Sequence, residues 1–275
     1  MRVDSHIHVW GQELLEVRWL NSQRNRLIRR AISVEEASQV ARRRGVESFV
    51  AVTADESLSG TRRLLARCAR NDFTGAVVGW VDLKSPIAGN ELDTLLASDG
   101  GELFRGVRLV ALDPGVLEDP SGHRGLEALQ RRGLLLDVLV NADGLDPLAR
   151  LISRYPALTV ILDHVGAASG SLGQDQWVSG MRLLAMQSNV NVKVSGVALA
   201  RGLLDRQLNY LRDLFGTDRL MAGSDWPMST VEARDPWREL ERLSSDWDSI
   251  DQSNLFGATA HRVFRIQSAE VLRRS

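Results

Sequence analysis

The chain has 275 residues, of which 44% are hydrophobic and 25% charged, with a formal net charge of −1. That balance belongs to an ordinary soluble protein: it excludes a disordered chain and gives no sign of a bulk nucleic-acid partner. A chain of this size can fold as one large α/β domain over residues 1–275. No stretch approaches the ~20 apolar residues of a membrane helix. Strand-like sequence begins by Val3, leaving no room for a secretory leader, so a cytoplasmic location is expected. The single Cys68, in "LLARCARND", has no partner for a disulfide or a paired zinc motif and reads as a buried helix residue.

The first β-rich run, "RVDSHIHV", places His6 and His8 two residues apart, although the chain has only five histidines. Residues i and i+2 of a strand point to the same side, so the two imidazoles should project together. The following segment, 11–31, is dense in arginine: Arg18, Arg24, Arg26, Arg29 and Arg30 form either a solvated face or an anion-attracting rim, and the solvated face is the simpler reading. "SVEEASQVARRRG" then reads as a helix, with Ser33 and Glu36 in capping-box spacing and Gly45 as the stop.

From there strands and helices alternate. "ESFVAVTA", "GAVVGWVDL", "RGVRLVAL", "LLLDVLVN", "LTVILDHVG", "NVNVKVSG" and "RLMAGSDWP" are the further strands, which makes eight with the first. The helical segments between them are "TRRLLARCAR", "ELDTLLASD", "GLEALQRRG", "PLARLISRY", "WVSGMRLLAMQ" and "RQLNYLRDLFG". Eight units with no linker or repeat predict a (β/α)8 TIM barrel carrying extra C-terminal helices that begin near Asp235-Pro236 and Ser249 to Asp251. A doubly wound open sheet is the runner-up, without a GxGxxG or GxxxxGK[ST] motif to support it.

In such a barrel the reactive groups sit at the carboxyl ends of the strands. His6 and His8 on strand one, His164 ending strand six and Asp225 ending strand eight therefore converge on one face. Alternation puts Met221, Gly223 and Asp225 on one side of strand eight, and Val160, Leu162 and His164 on one side of strand six. Arg108 on strand four should face the same interior, where an arginine suits a carboxylate or a polarised carbonyl. Trp80 and Trp226 are candidate pocket walls, although tryptophan more often packs into core. His123, in "EDPSGHRG", either reaches the pocket from its loop or belongs to a turn at a helix start. Lys193 either points inward or sits beneath the site. His261 reads as structural, with Arg262 beside it in a salt bridge to the barrel.

Two neutral imidazoles and a carboxylate suit one divalent ion, zinc or manganese, with His6, His8 and Asp225 as ligands. Arginine and histidine could also supply the electrophile without a metal.

The ordered set "DSHIHVW", "VGWVDL", "RGVRL", "LDHVG", "NVNVKVSG", "FGTDRLMAGSDWP" and "NLFGATAHRVFRI" resembles the amidohydrolase-2 branch of the amidohydrolase superfamily, most nearly its sugar-lactone and 2-pyrone-4,6-dicarboxylate lactonases. The resemblance spans nearly the whole chain and implies a distorted form of the (β/α)8 TIM barrel. It implies a hydrolase that opens a small lactone, with Asp225 as the base for water and His6, His8 and His164 around the reacting carbonyl. It implies Arg108 as a substrate-binding group. A metal-dependent non-oxidative decarboxylase and a non-catalytic binding barrel are the alternatives. The partner implied is a small-molecule lactone, and a homo-oligomer is compatible with the sequence.

Overall fold

The computed structural model describes residues 1–16, 18–166, 174–196, 207–231 and 235–267. Eight strands form one parallel sheet in sequence order: β1 (Val3–Ile7), β2 (Ser48–Val52), β3 (Thr74–Gly79), β4 (Phe104–Val110), β5 (Leu135–Leu139), β6 (Val160–Leu162), β7 (Val190–Val194) and β8 (Leu220–Ala222). The sheet closes on itself where Ile7 bridges Trp226 in parallel, with His8 N donating to Trp226 O and Asp225 N to His6 O. The open-sheet alternative is therefore excluded.

The helices lie where hydrophobic periodicity placed them. They are α1 (Val34–Arg43), α2 (Leu58–Cys68), α3 (Ala88–Leu96), the single turn α4 (Gly115–Glu118), α5 (His123–Arg131), α6 (Leu145–Ile152), α7 (Gln174–Ala185), α8 (Gln207–Phe215), α9 (Pro236–Leu243), α10 (Ser249–Ser253) and α11 (Thr259–Val263). Ser33 caps α1 by accepting from Glu36 N, satisfying a donor the helix cannot pair internally. Asp235 and Asp248 do the same for α9 and α10. Short 3-10 turns, Gln12–Glu16, Arg18–Asn21 and Gln23–Ile28, carry the chain from β1 to α1. There the Arg30 guanidinium pairs with Glu36 at the surface, as a solvated face predicts.

Two cores follow from the alternation of the strands. The outer one, with Phe49, Ala51, Val107, Val160 and Leu162, packs between sheet and helices. The inner one fills the barrel lumen with Val50, Val52, Ala76, Val78, Leu135, Ile161 and Met221. Phe264 and Ile266, after α11, plug its amino-terminal end. With both faces covered, every residue of β1, β2 and β7 is buried, as parallel strands require. Among the described residues, no helix is long and apolar enough to cross a membrane.

Candidate active site

The lumen becomes polar toward the carboxyl ends of the strands. His6 and His8 are buried side by side with their Nε2 atoms 3.1 Å apart. Val3 faces the lumen and so do the histidines, which differ from it by an odd number of residues; the register shift between Asp4 and Ile7 reverses the phase. Asp4 holds that irregular segment by accepting from His6 N and from Ser224 N, across the seam between β1 and the segment after β8. Burial pushes its carboxyl up to about 6.

Asp225 Oδ1 lies 3.5 Å from His8 Nε2, 3.8 Å from His6 Nε2 and 3.9 Å from His164 Nε2. The backbone turns to present it: Asp225 has φ 55°, in the left-handed region that non-glycine residues rarely occupy. Burial opposes ionisation of Asp225, but the imidazoles of His164, His8 and His6 outweigh it and hold the carboxyl well below the usual range.

His164 arrives by a different route from the one its strand pattern suggests. Ile161 faces the lumen and Val160 and Leu162 face the helices, so simple alternation would turn Asp163 inward and His164 outward. Left-handed backbone at His164 (φ 51°) and Val165 (φ 53°) brings the imidazole back to the site, where Nδ1 meets Ser195 Oγ at 2.8 Å. Gly196 lies against that ring, and a Cβ there would come within 2.6 Å of His164 Cγ. Only glycine fits such an approach at φ +80°. Burial lowers the pKa of both His6 and His164.

Asp163, the inward residue of "LDHVG", is central and was missed in favour of its neighbour. Its Oδ1 lies 3.2 Å from His6 Nδ1 and 3.0 Å from Lys193 Nζ, and its Oδ2 is 3.3 Å from Arg108 Nε. Lys193, wholly buried, faces the lumen and also binds Asp137 of β5. Burial raises the Asp137 carboxyl and the neighbouring Asp163 charge adds to it; Asp163 itself, despite burial, is held low by Lys193, His6 and Arg108. The signal available in the sequence was the inward phase shared by Leu135 with Asp137, and by Ile161 with Asp163.

Of the other predicted groups, Arg108 does face the interior, with Nη1 donating to Thr53 O. Trp80 stands just beyond β3, half-buried, its backbone N–H bound by Thr61 Oγ1. Trp226 is core, buried against the outer helices' cluster. His123 is not brought to the site: its ring nitrogens meet Tyr155 Oη and Arg154, in the outer helix layer. His261 lies on α11, and Arg262 donates to the Asp218 carbonyl in place of the expected salt bridge.

The donor set fits a divalent cation. His8 Nδ1 lies 2.8 Å from Val52 O, which can only accept, so the neutral ring carries its proton there and offers a lone pair at Nε2. His6 Nδ1 faces an acceptor, Asp163, and a donor, Lys193, each at 3.2 Å. With its proton directed to Asp163, His6 also turns a lone pair toward His8 and Asp225. Asp225 Oδ1 is buried without a hydrogen-bond partner among the described residues. Three acceptors thus meet with no proton between them, which is the chemistry of a metal site built from two histidines and a carboxylate. A second grouping, His6, Asp163 and His164, is a poorer match because Lys193 and Arg108 already neutralise Asp163.

The closed parallel barrel with this cluster at its carboxyl end defines an amidohydrolase. The Amidohydrolase family model (Amidohydro_2) matches residues 3–266, and the chain belongs to that family. Within it, the chain is similar to the L-fucono-1,5-lactonase of Burkholderia ambifaria, 33% identical over 240 residues, 84% of this chain and 81% of that protein. It is also similar to the L-fucono-1,5-lactonase of Burkholderia multivorans, 28% identical over 292 residues, 97% and 96% of the two chains. A Burkholderia multivorans amidohydrolase crystallised with bound zinc superposes with a TM-score of 0.88 at 25% identity, covering 97% of this chain and all of that one. A Pseudomonas putida structure described as a 2-pyrone-4,6-dicarboxylic acid hydrolase shares the fold, with a TM-score of 0.77 at 22% identity and coverage of 97% and 98%.

Proposed function

We propose that the chain hydrolyses a neutral, hydroxyl-rich sugar lactone, with Asp225 taking the proton of the attacking water. The observation that carries this reading is the buried, ionised Asp225 carboxylate among three imidazoles at the barrel mouth. Water oxygen bonds to the lactone carbonyl carbon as its proton passes to Asp225, and the ring C–O bond then breaks. The ring oxygen leaves as a hydroxyl, taking its proton from Asp225 or from His164 after that ring has been protonated. Arg108, anchored on Asp163 and Thr53 O, offers its remaining N–H groups to charge developing on the carbonyl oxygen. A zinc or manganese ion held by His6, His8 and Asp225 would polarise the carbonyl and acidify the water, which assists a carboxylate held this low in pKa.

Hydrogen-bond acceptors at the mouth support the substrate class. Among the described residues, the segments leaving β2 to β5 at this end carry Asp55, Asp82, Asp113 and Asp143. Asp55 is paired with Arg63, Lys84 with Asp119, and Arg108 is engaged by Asp163. The carboxylates of Asp82, Asp113 and Asp143 can accept from substrate hydroxyl groups. The similarity to two L-fucono-1,5-lactonases points the same way. Acid release should be measured in parallel on L-fucono-1,5-lactone and 2-pyrone-4,6-dicarboxylate. Faster turnover of the neutral lactone is expected, and preference for the dicarboxylate would overturn the substrate class.

A further inference from the structure

At the opposite end of the barrel, the amino-terminal ends of β5, β6 and β7 open onto a cleft of about 810 Å3, a size suited to a small molecule. Arg219, Arg262 and Arg265 line it, with Asp218 as the single carboxylate among the lining residues. Backbone carbonyls hold the guanidiniums in place. Arg219 donates to Phe215 O, Ala185 O and Gln187 O, Arg262 to Asp218 O and Arg265 to Gly133 O. A guanidinium has five N–H donors, so each retains some. None of the three forms an ion pair with another described residue. Positive charge is crowded here, since burial and the neighbouring Arg265 both depress the Arg105 guanidinium.

The floor of the cleft supplies a second observation. Asn191 precedes Lys193 by two residues on β7 and therefore shares its lumen-facing side. Asn191 is 5% exposed and lines the cleft, yet its side-chain amide has no hydrogen-bond partner among the described residues. Its amide atoms open onto the cleft, leaving a donor and an acceptor at the floor for a bound molecule.

We propose that this cleft binds a small polar molecule bearing a carboxylate or a phosphate, gripped by Arg262 and Arg265 and hydrogen-bonded to Asn191. The site is separate from the lactone centre and does not depend on that reading. The test is calorimetric titration of orthophosphate and, separately, of citrate at ionic strength matched with sodium chloride. Saturable binding of either probe is expected, the stronger one identifying the headgroup, and it should persist in Asp225→Asn. It should weaken by about tenfold in Arg262→Gln or Arg265→Gln, the loss of one charged hydrogen bond, and also in Asn191→Leu. Ligand-free melting temperatures establish that each variant is folded, and any one folded variant suffices. No saturable binding beyond the chloride control overturns the proposal. So does binding that all folded cleft variants retain, or that Asp225→Asn abolishes.

Discussion

Asp225 concentrates the chemistry of the site, because its carboxylate lies within 4 Å of all three imidazoles. Asp225→Asn keeps the shape and removes the base, so kcat should fall by about 10²–10⁴-fold with the melting temperature little changed; a steady-state assay beside a thermal melt checks this. The acidic limb of the pH profile belongs to the imidazoles, since Asp225 stays ionised well below them. Burial lowers the pKa of His6 and His164 from 6.5, so their neutral forms persist into mildly acidic solution. The plateau of kcat/KM should therefore extend below pH 6.5, and a midpoint at or above that value would contradict the assignment. Gly196→Ala tests the approach to His164: the added methyl must push the ring away from Asp225, lowering kcat while substrate affinity is largely kept.

Among the elements, the seam between β1 and β8 sets the geometry, and Asp4 fastens it through two buried backbone N–H groups. Asp4→Ala leaves those donors unpaired, and a loss of about 2–4 kcal/mol is expected in urea unfolding. The eight strands and the helices between them were legible because period-2 and period-3.6 patterns alternate without interruption. The same is true of His6, His8 and Asp225, which stand at strand ends as unusual polar residues. What alternation could not reveal was phase. The shift in β1 and the left-handed turns at His164, Val165 and Asp225 each reset which side chain faces inward. Asp163 was passed over for that reason, since reading strand six with His164 inward turns its neighbour outward. His123 differs in kind: it stands at the first residue of α5, outside any strand phase, and packing against Tyr155 decided its place.

For the whole molecule, the lumen stacks apolar layers beneath a buried cluster of Lys193, Asp137 and Asp163, joined by the partly buried Arg108, with the imidazoles on top. Removing one member strands a charge. Lys193→Met should cost about 3–5 kcal/mol, whereas Lys193→Met with Asp137→Leu should recover part of that loss, because the pair's desolvation disappears with it. Chemical denaturation of the two variants decides. Stability should also fall with acid: His6 and His164 have folded pKa values depressed below 6.5, so their contribution is present above that pH and lost as pH falls from it through the folded values. The central claim is that the cluster at the carboxyl end of the barrel opens a sugar lactone. Its most direct test is acid release from L-fucono-1,5-lactone by the purified protein and by Asp225→Asn, each with chelator and with added zinc or manganese. Rapid release by the parent protein in at least one condition, reduced toward the spontaneous rate in the variant, is the predicted result. No release above the spontaneous rate in any condition, or equal rates for the two proteins, would contradict it.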